Sequence, residues 1–151
     1  MINKRVFSWI LLTVLVLAMI SPAAYAAGEE GSFIASDTIG MAGEIVEVTI
    51  SIENNPGIIS AALEISYDDN LVQLVNVEDA KLLNKPTFAD SFEKNPYYVG
   101  WNDALATDNN DGNGVLVTLS FEIREDAISG TTPIAISFNP NNVFDWNLNN
   151  V

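Results

Sequence analysis

The chain has 151 residues, with 20 acidic against 6 basic side chains and neither cysteine nor histidine. A formal charge of −14 repels nucleic acid and anionic lipid. The two absent residue types remove disulfide staples, the commonest general base and the commonest zinc ligand together. Hydrolases can still work with two carboxylates, so an enzyme reading is weakened and not excluded.

The first residues read as an export signal. Lys4 and Arg5 precede an apolar run from Val6 to Ile20, Ser21-Pro22 breaks it, and Ala24-Tyr25-Ala26 is a small-x-small cleavage site. The run is shorter than the roughly 20 residues a spanning helix needs. The expectation is a secretory signal peptide over 1–26 and one exported domain over 27–151, secreted or held at the cell surface, with the membrane met only during export. Cleavage would leave 125 residues with 4 basic against 20 acidic side chains, long enough for one core. The acids are scattered, as solvated surface charges are.

Phe33-Ile34-Ala35 reads as a first strand and Gly40 to Glu44 as a turn. From Ile45 to Glu53, Val46, Val48, Ile50 and Ile52 alternate with Glu47, Thr49, Ser51 and Glu53, the period of a half-buried strand. Asn54-Asn55-Pro56-Gly57 then turns the chain. Pro56 fixes φ at the second turn position, Gly57 supplies the positive φ of a type II turn at the third, and Asn55 is pushed extended by the following proline. In the next strand Ile59, Ala61, Leu63, Ile65 and Tyr67 share the apolar face, and Ser60, Ala62, Glu64 and Ser66 the polar one. Leu71 to Val77 is apolar on both sides, which predicts a central or covered strand.

Asp79 to Asn95 predicts a loop with one short strand around Thr87 to Phe92. Tyr97 to Asn102 reads as an aromatic strand with Tyr97, Val99 and Trp101 in the core and Tyr98 and Asn102 outside. Asp108 to Gly114 is dense in turn formers but is no EF-hand loop. Placing Gly112 at position six puts Thr107 first and Thr118 last; placing Gly114 there gives Asn109 and Ser120. No metal site is expected. In the strand Val115 to Arg124, alternation points Val115, Val117, Leu119, Phe121 and Ile123 inward and Leu116, Thr118, Ser120, Glu122 and Arg124 outward. Glu125 to Gly130 is a tight connection that one helical turn ended by Gly130 would fill. Ile134 to Phe138 is a last strand, and a tail with Phe144 and Trp146 follows. Short strands joined by Gly-, Pro- and Asn-rich turns predict an all-β, two-sheet antiparallel sandwich. Glu64 and Glu122 are the carboxylates a glycosidase reading would pair, yet isolated carboxylates on open strand faces are ordinarily solvated, so no catalytic residue is expected.

The runs IENNPGIISAALEISYD (52–68), NGVLVTLSFEI (113–123) and AISGTTPIAIS (127–137) resemble the cohesin domain of bacterial cellulosome scaffoldins, in that family's order and spacing. The resemblance implies a jelly-roll sandwich that binds dockerins, small calcium-loaded paired-helix modules on secreted polysaccharide-degrading enzymes or scaffold proteins. The domain itself would need no cofactor, the calcium belonging to the partner. Carried over residue by residue, the implied dockerin-binding face is Ser60, Ala62, Glu64 and Ser66, then Tyr98 and Asn102, then Leu116, Thr118, Ser120 and Glu122. Ala62 stands where many relatives carry a polar or acidic residue. The resemblance also implies a final strand beside the first. No segment before Val151 is left to form it, so the expectation is a sandwich lacking that strand, with the first strand an open edge. The alternative on the same architecture is a carbohydrate-binding module in polysaccharide contact, which would need a row of exposed aromatics.

Overall fold

The computed structural model describes residues 31–151; the expected signal peptide lies outside them. Eight strands run in chain order as β1 (Ser32–Ala35), β2 (Ile45–Glu53), β3 (Ser60–Ser66), β4 (Val72–Asp79), β5 (Pro86–Phe88), β6 (Tyr97–Asn102), β7 (Gly114–Ile123) and β8 (Ala135–Phe138). They form two four-stranded sheets, β1-β2-β7-β4 and β5-β6-β3-β8, and every pairing is antiparallel. The chain is an all-β two-sheet sandwich, as the pattern of short alternating strands predicts, with the jelly-roll topology that the resemblance implies. From β2 onward every connection crosses between the sheets except that from β5 to β6, which pair with each other. Successive strands such as β2 and β3 therefore bury their apolar faces against each other across the core, not side by side.

The core is the sum of the alternating apolar faces. Val48, Ile50, Ile52, Leu74, Val117, Leu119 and Phe121 come from one sheet, and Ala61, Leu63, Ile65, Tyr97, Val99 and Trp101 from the other. Each fully buried Leu, Ile or Phe stabilises the domain by about 2 kcal/mol, which replaces what disulfides would supply. Tyr67 closes one end edge-to-face on Phe121, ring centroids 4.9 Å apart. Phe33 and Phe138 close the β1/β8 side in the same geometry at 5.1 Å.

Several expectations change. Among the described residues β4 is an edge strand, paired to β7 alone, and its pairing skips Val75 between Leu74 and Asn76. The bulge re-aims the strand so that Gln73, Asn76 and Glu78 stay exposed. Its run of apolar residues therefore does not mark a covered strand. Glu125 to Gly130 holds no helix; a single turn closes with Ala127 N–H donating to the Arg124 carbonyl. β1 pairs with β2 and with no other strand among the described residues.

The tail, unread in the sequence, continues the line of β8 along the same edge of β3. Phe138 faces Leu63, the chain swings out through a 3-10 turn at Pro140–Asn142, and Phe144 rejoins opposite Ser60. Val143 is buried, and Asp145 caps the next turn by accepting hydrogen bonds from the Asn149 backbone and side chain at 2.8 and 3.0 Å. Those bonds hold the Asp145 carboxyl below the usual aspartate range. A depressed carboxyl contributes stability that is present above its unfolded value and lost as pH falls through its folded one. Acidification below about pH 4 is therefore expected to loosen this turn first. Amide exchange at Asn149 should accelerate there before exchange in β2 or β7 does; simultaneous acceleration would refute a local role.

Candidate docking face

One outer face of the sandwich is set up by the corner that precedes it. Gly57 sits at φ 101° and Asn54 at φ 50°, the left-handed region the Asn-Asn-Pro-Gly run is chemically suited to. A Cβ on Gly57 would also come within 2.7 Å of Asn109. The turn is closed by a side chain: Asn55 Oδ1 accepts from the backbone N–H of both Gly57 and Ile58 at 3.0 Å. The Asn55 amide donates to the carbonyls of Asn110 (2.9 Å) and Gly112 (2.8 Å), and its backbone N–H donates to Asn113 Oδ1 at 2.8 Å. Asn55 is thus buried and saturated, welding the β2–β3 corner to the β6–β7 loop. β3 leaves this weld in fixed register.

On β3 the apolar residues Ala61, Leu63 and Ile65 are buried, which turns Ser60, Ala62, Glu64 and Ser66 outward. β6 places Asn102 beside Ser60, Gly100 beside Ala62 and Tyr98 beside Glu64. On the other flank β8 sets Ser137 beside Glu64 and Ala135 beside Ser66, and Thr87 of β5 adjoins Gly100. The result is a surface of small and hydroxyl side chains with one aromatic, Tyr98, 41% exposed. Glu64 is the only charged residue among these outward positions.

The opposite outer face is chemically different. There Glu47 and Glu53 of β2, Glu78 of β4 and Glu122 of β7 stand exposed among Thr49, Thr118 and Ser120. Four carboxylates facing water resist burial against a partner, because each would have to be desolvated or paired. The acid-poor face is the one suited to being covered.

The predicted site residues therefore divide. Ser60, Ala62, Glu64, Ser66, Tyr98 and Asn102 share one face. Thr118, Ser120 and Glu122 lie on β7, in the other sheet, and point away on the far side of the sandwich. Leu116 is on neither surface: it is 0% exposed. The β2–β7 pairing passes from Ile50–Val117 to Ser51–Val115, leaving Leu116 as the extra residue of a bulge. Leu116 and Val117 consequently both enter the core, and Val115, expected inside, is 37% exposed. Sequence reading missed Gly100, Ala135, Ser137 and Thr87. The first three were recoverable: Gly100 shares the period-two phase of Tyr98 and Asn102, and Ala135 and Ser137 flank the inward Ile136.

Beyond Asn102, Asp103 and loop residues 105–111 with Asn84, Ile58 and Ile59 line an open cleft of about 360 Å³. Asn84 donates to Asp103 at 3.0 Å and Asn109 accepts from the Trp146 N–H at 3.0 Å, so these polar side chains hold loop to loop. Among the described residues no His, Cys, Asp or Glu cluster is arranged to hold a metal ion.

A model of the cohesin domain family matches residues 32–143, which takes in all eight strands. The chain belongs to the cohesin family. A curated relative, cellulose-binding protein A of Clostridium cellulovorans, is 29% identical over 104 residues, 67% of this chain; the aligned part is 6% of that much longer protein. Among solved structures, this cohesin superposes on a chain of the OlpA type I cohesin–dockerin complex from Clostridium thermocellum with a TM-score of 0.69, at 22% identity over 79% of this chain and 89% of the other. CaCohA2 of Clostridium acetobutylicum gives 0.63 at 21% identity, covering 82% and 84%. A non-cellulosomal cohesin from the archaeon Archaeoglobus fulgidus gives 0.65 at 21%, covering 81% and 83%. At these identities the likenesses establish the fold, and the face must be argued from its own residues.

Proposed function

We propose that this cohesin is a secreted, non-catalytic docking module that binds calcium-loaded dockerin domains of polysaccharide-degrading enzymes through the outer face of β5-β6-β3-β8. The observation that carries the reading is the asymmetry of the two faces. In a chain with 20 acidic residues, one broad sheet face presents hydroxyls, alanines, a glycine and a tyrosine around a single carboxylate. Membership in the cohesin family supports it, as does the fold shared with chains crystallised in cohesin–dockerin complexes. A preformed flat sheet loses little conformational freedom on binding, so a few central contacts can set the affinity. Export, and placement outside the cell or at its surface, follow from the expected signal peptide and from where dockerin-bearing enzymes work. One tyrosine is not the aromatic row that polysaccharide binding on this face would need.

The test is a pull-down of dockerin-bearing proteins from the host's secreted fraction, repeated with chelator and with two variants. Capture is expected to vanish on chelation while this domain's own melting curve stays unchanged. Ala62→Arg, at the middle of the face, should weaken capture by about 2 kcal/mol, roughly 30-fold, because an arginine there blocks close approach. Thr118→Arg, on the acidic face, should leave capture as it was. The reverse pattern would move the docking face to the other sheet, and capture that survives excess chelator would remove dockerins from consideration.

A further inference from the structure

Gly100 is buried although it lies on an outward position of β6, and what covers it is Tyr98. A Cβ built on Gly100 would meet the Tyr98 hydroxyl at 2.5 Å, closer than real Cβ contacts come, and its Cζ at a tight 3.0 Å. The phenol therefore lies down along its own strand, its hydroxyl end over Gly100, the register partner of Ala62, instead of standing up next to Glu64. Any side chain at position 100 evicts it. The φ of Gly100 is not in the left-handed region, so the backbone does not demand glycine here. The space around it does, chiefly Tyr98 above it and to a lesser degree the Ala61 carbonyl, 3.3 Å from the built Cβ.

We propose that Gly100 is a positioning residue of the docking face, holding Tyr98 as a low shelf against which the partner packs. The inference rests on the docking reading above. With Tyr98 down, the rows Ser60–Asn102, Ala62–Gly100 and Glu64–Tyr98 form one level surface and Glu64 is left uncovered. With Tyr98 upright, the ring would stand as a post in the middle of that surface and a helix could not approach β3. The shelf also presents an apolar ring and a hydroxyl together, the combination that makes tyrosine effective in interface centres.

Three measurements on the full chain separate this from a structural role. In the free protein, ring-current shifts should displace the Gly100 α-proton resonances, and Tyr98→Ala should abolish that displacement. Its absence in the wild type overturns the shelf irrespective of any partner. Gly100→Ala should leave the melting temperature nearly unchanged, because Tyr98 is half-exposed and free to swing out. It should nonetheless weaken binding to a recombinant calcium-loaded dockerin from the host's secreted enzymes by about tenfold. Tyr98→Ala should weaken binding comparably, and Gly100→Ala added to it should cost nothing more. An unchanged affinity for Gly100→Ala, or an equal loss in the Tyr98→Ala background, overturns the proposal. A wild type that binds no dockerin yet shows the shifted Gly100 resonances identifies the docking reading itself as the failure, and the positioning role falls with it. Should Gly100→Ala not fold, an undiminished affinity of Tyr98→Ala would overturn the proposal by itself.

Discussion

Replacing Asn55 with alanine is expected to lower the melting temperature by about 12–16 °C, corresponding to about 4 kcal/mol for a domain of this size. The side chain makes four hydrogen bonds, to the N–H groups of Gly57 and Ile58 and the carbonyls of Asn110 and Gly112. Truncation leaves all four backbone groups without that partner at a buried corner, and each orphaned group costs about 1 kcal/mol even after relaxation. Asn55→Asp keeps the acceptor for the two N–H groups but aims a carboxylate oxygen at two carbonyl oxygens, so it should be no better than alanine at neutral pH. Neighbouring Asn54 provides the control. It is exposed at φ 50°, and Asn54→Gly should be tolerated because glycine takes that conformation without strain. Thermal unfolding followed by circular dichroism decides the matter. An Asn55→Ala loss under about 1 kcal/mol would show that water replaces the side chain and that the weld between corner and loop is dispensable.

The corner also shows what could be read in the sequence and what could not. Pro56 and Gly57 announce a turn through their own backbone limits, and Gly57 does adopt the expected positive φ. That Asn55 closes the turn with its side chain, and reaches residues more than fifty positions away, has no local signature; it depends on where the β6–β7 loop comes to lie. Alternation was legible wherever a strand faces the core on one side only and has no bulge. β2, β3 and β6 fulfil this, and the outward placing of Ser60, Ala62, Glu64, Ser66, Tyr98 and Asn102 was correct for that reason. Alternation says in or out. It does not say which sheet a strand joins, so the hydroxyl side of β7 looked like a continuation of the hydroxyl side of β3 although the two point in opposite directions. Strand crossing settles that point: β8, not β7, is the partner that extends the face beyond β3.

The bulge in β7 is the other lesson, and it yields the second large effect. Leu116→Asp is expected to leave no stably folded domain. Read without the bulge, Leu116 lies on the surface, where an aspartate would be harmless. In the structure it is fully enclosed with Val117, Leu119 and Ile50 in the same core, its carbonyl accepting from the Ala80 N–H at 2.9 Å. Even Leu116→Ala should cost about 3 kcal/mol through lost burial and the cavity it leaves. A carboxylate there must be buried charged or protonated against its preference, at a cost of about 4 kcal/mol or more, comparable with the whole stability of an ordinary domain. Val115→Asp, one residue earlier and partly exposed, should shift the urea midpoint only slightly. Chemical denaturation of the three variants tests the register directly. If Val115→Asp unfolds the domain and Leu116→Asp does not, β7 runs in uninterrupted alternation and the bulge is misplaced. If the order is as expected, any loss of partner binding by Leu116→Asp reports a lost fold and not a lost contact. Mapping of the docking face then rests on Ala62, Glu64, Tyr98 and Gly100.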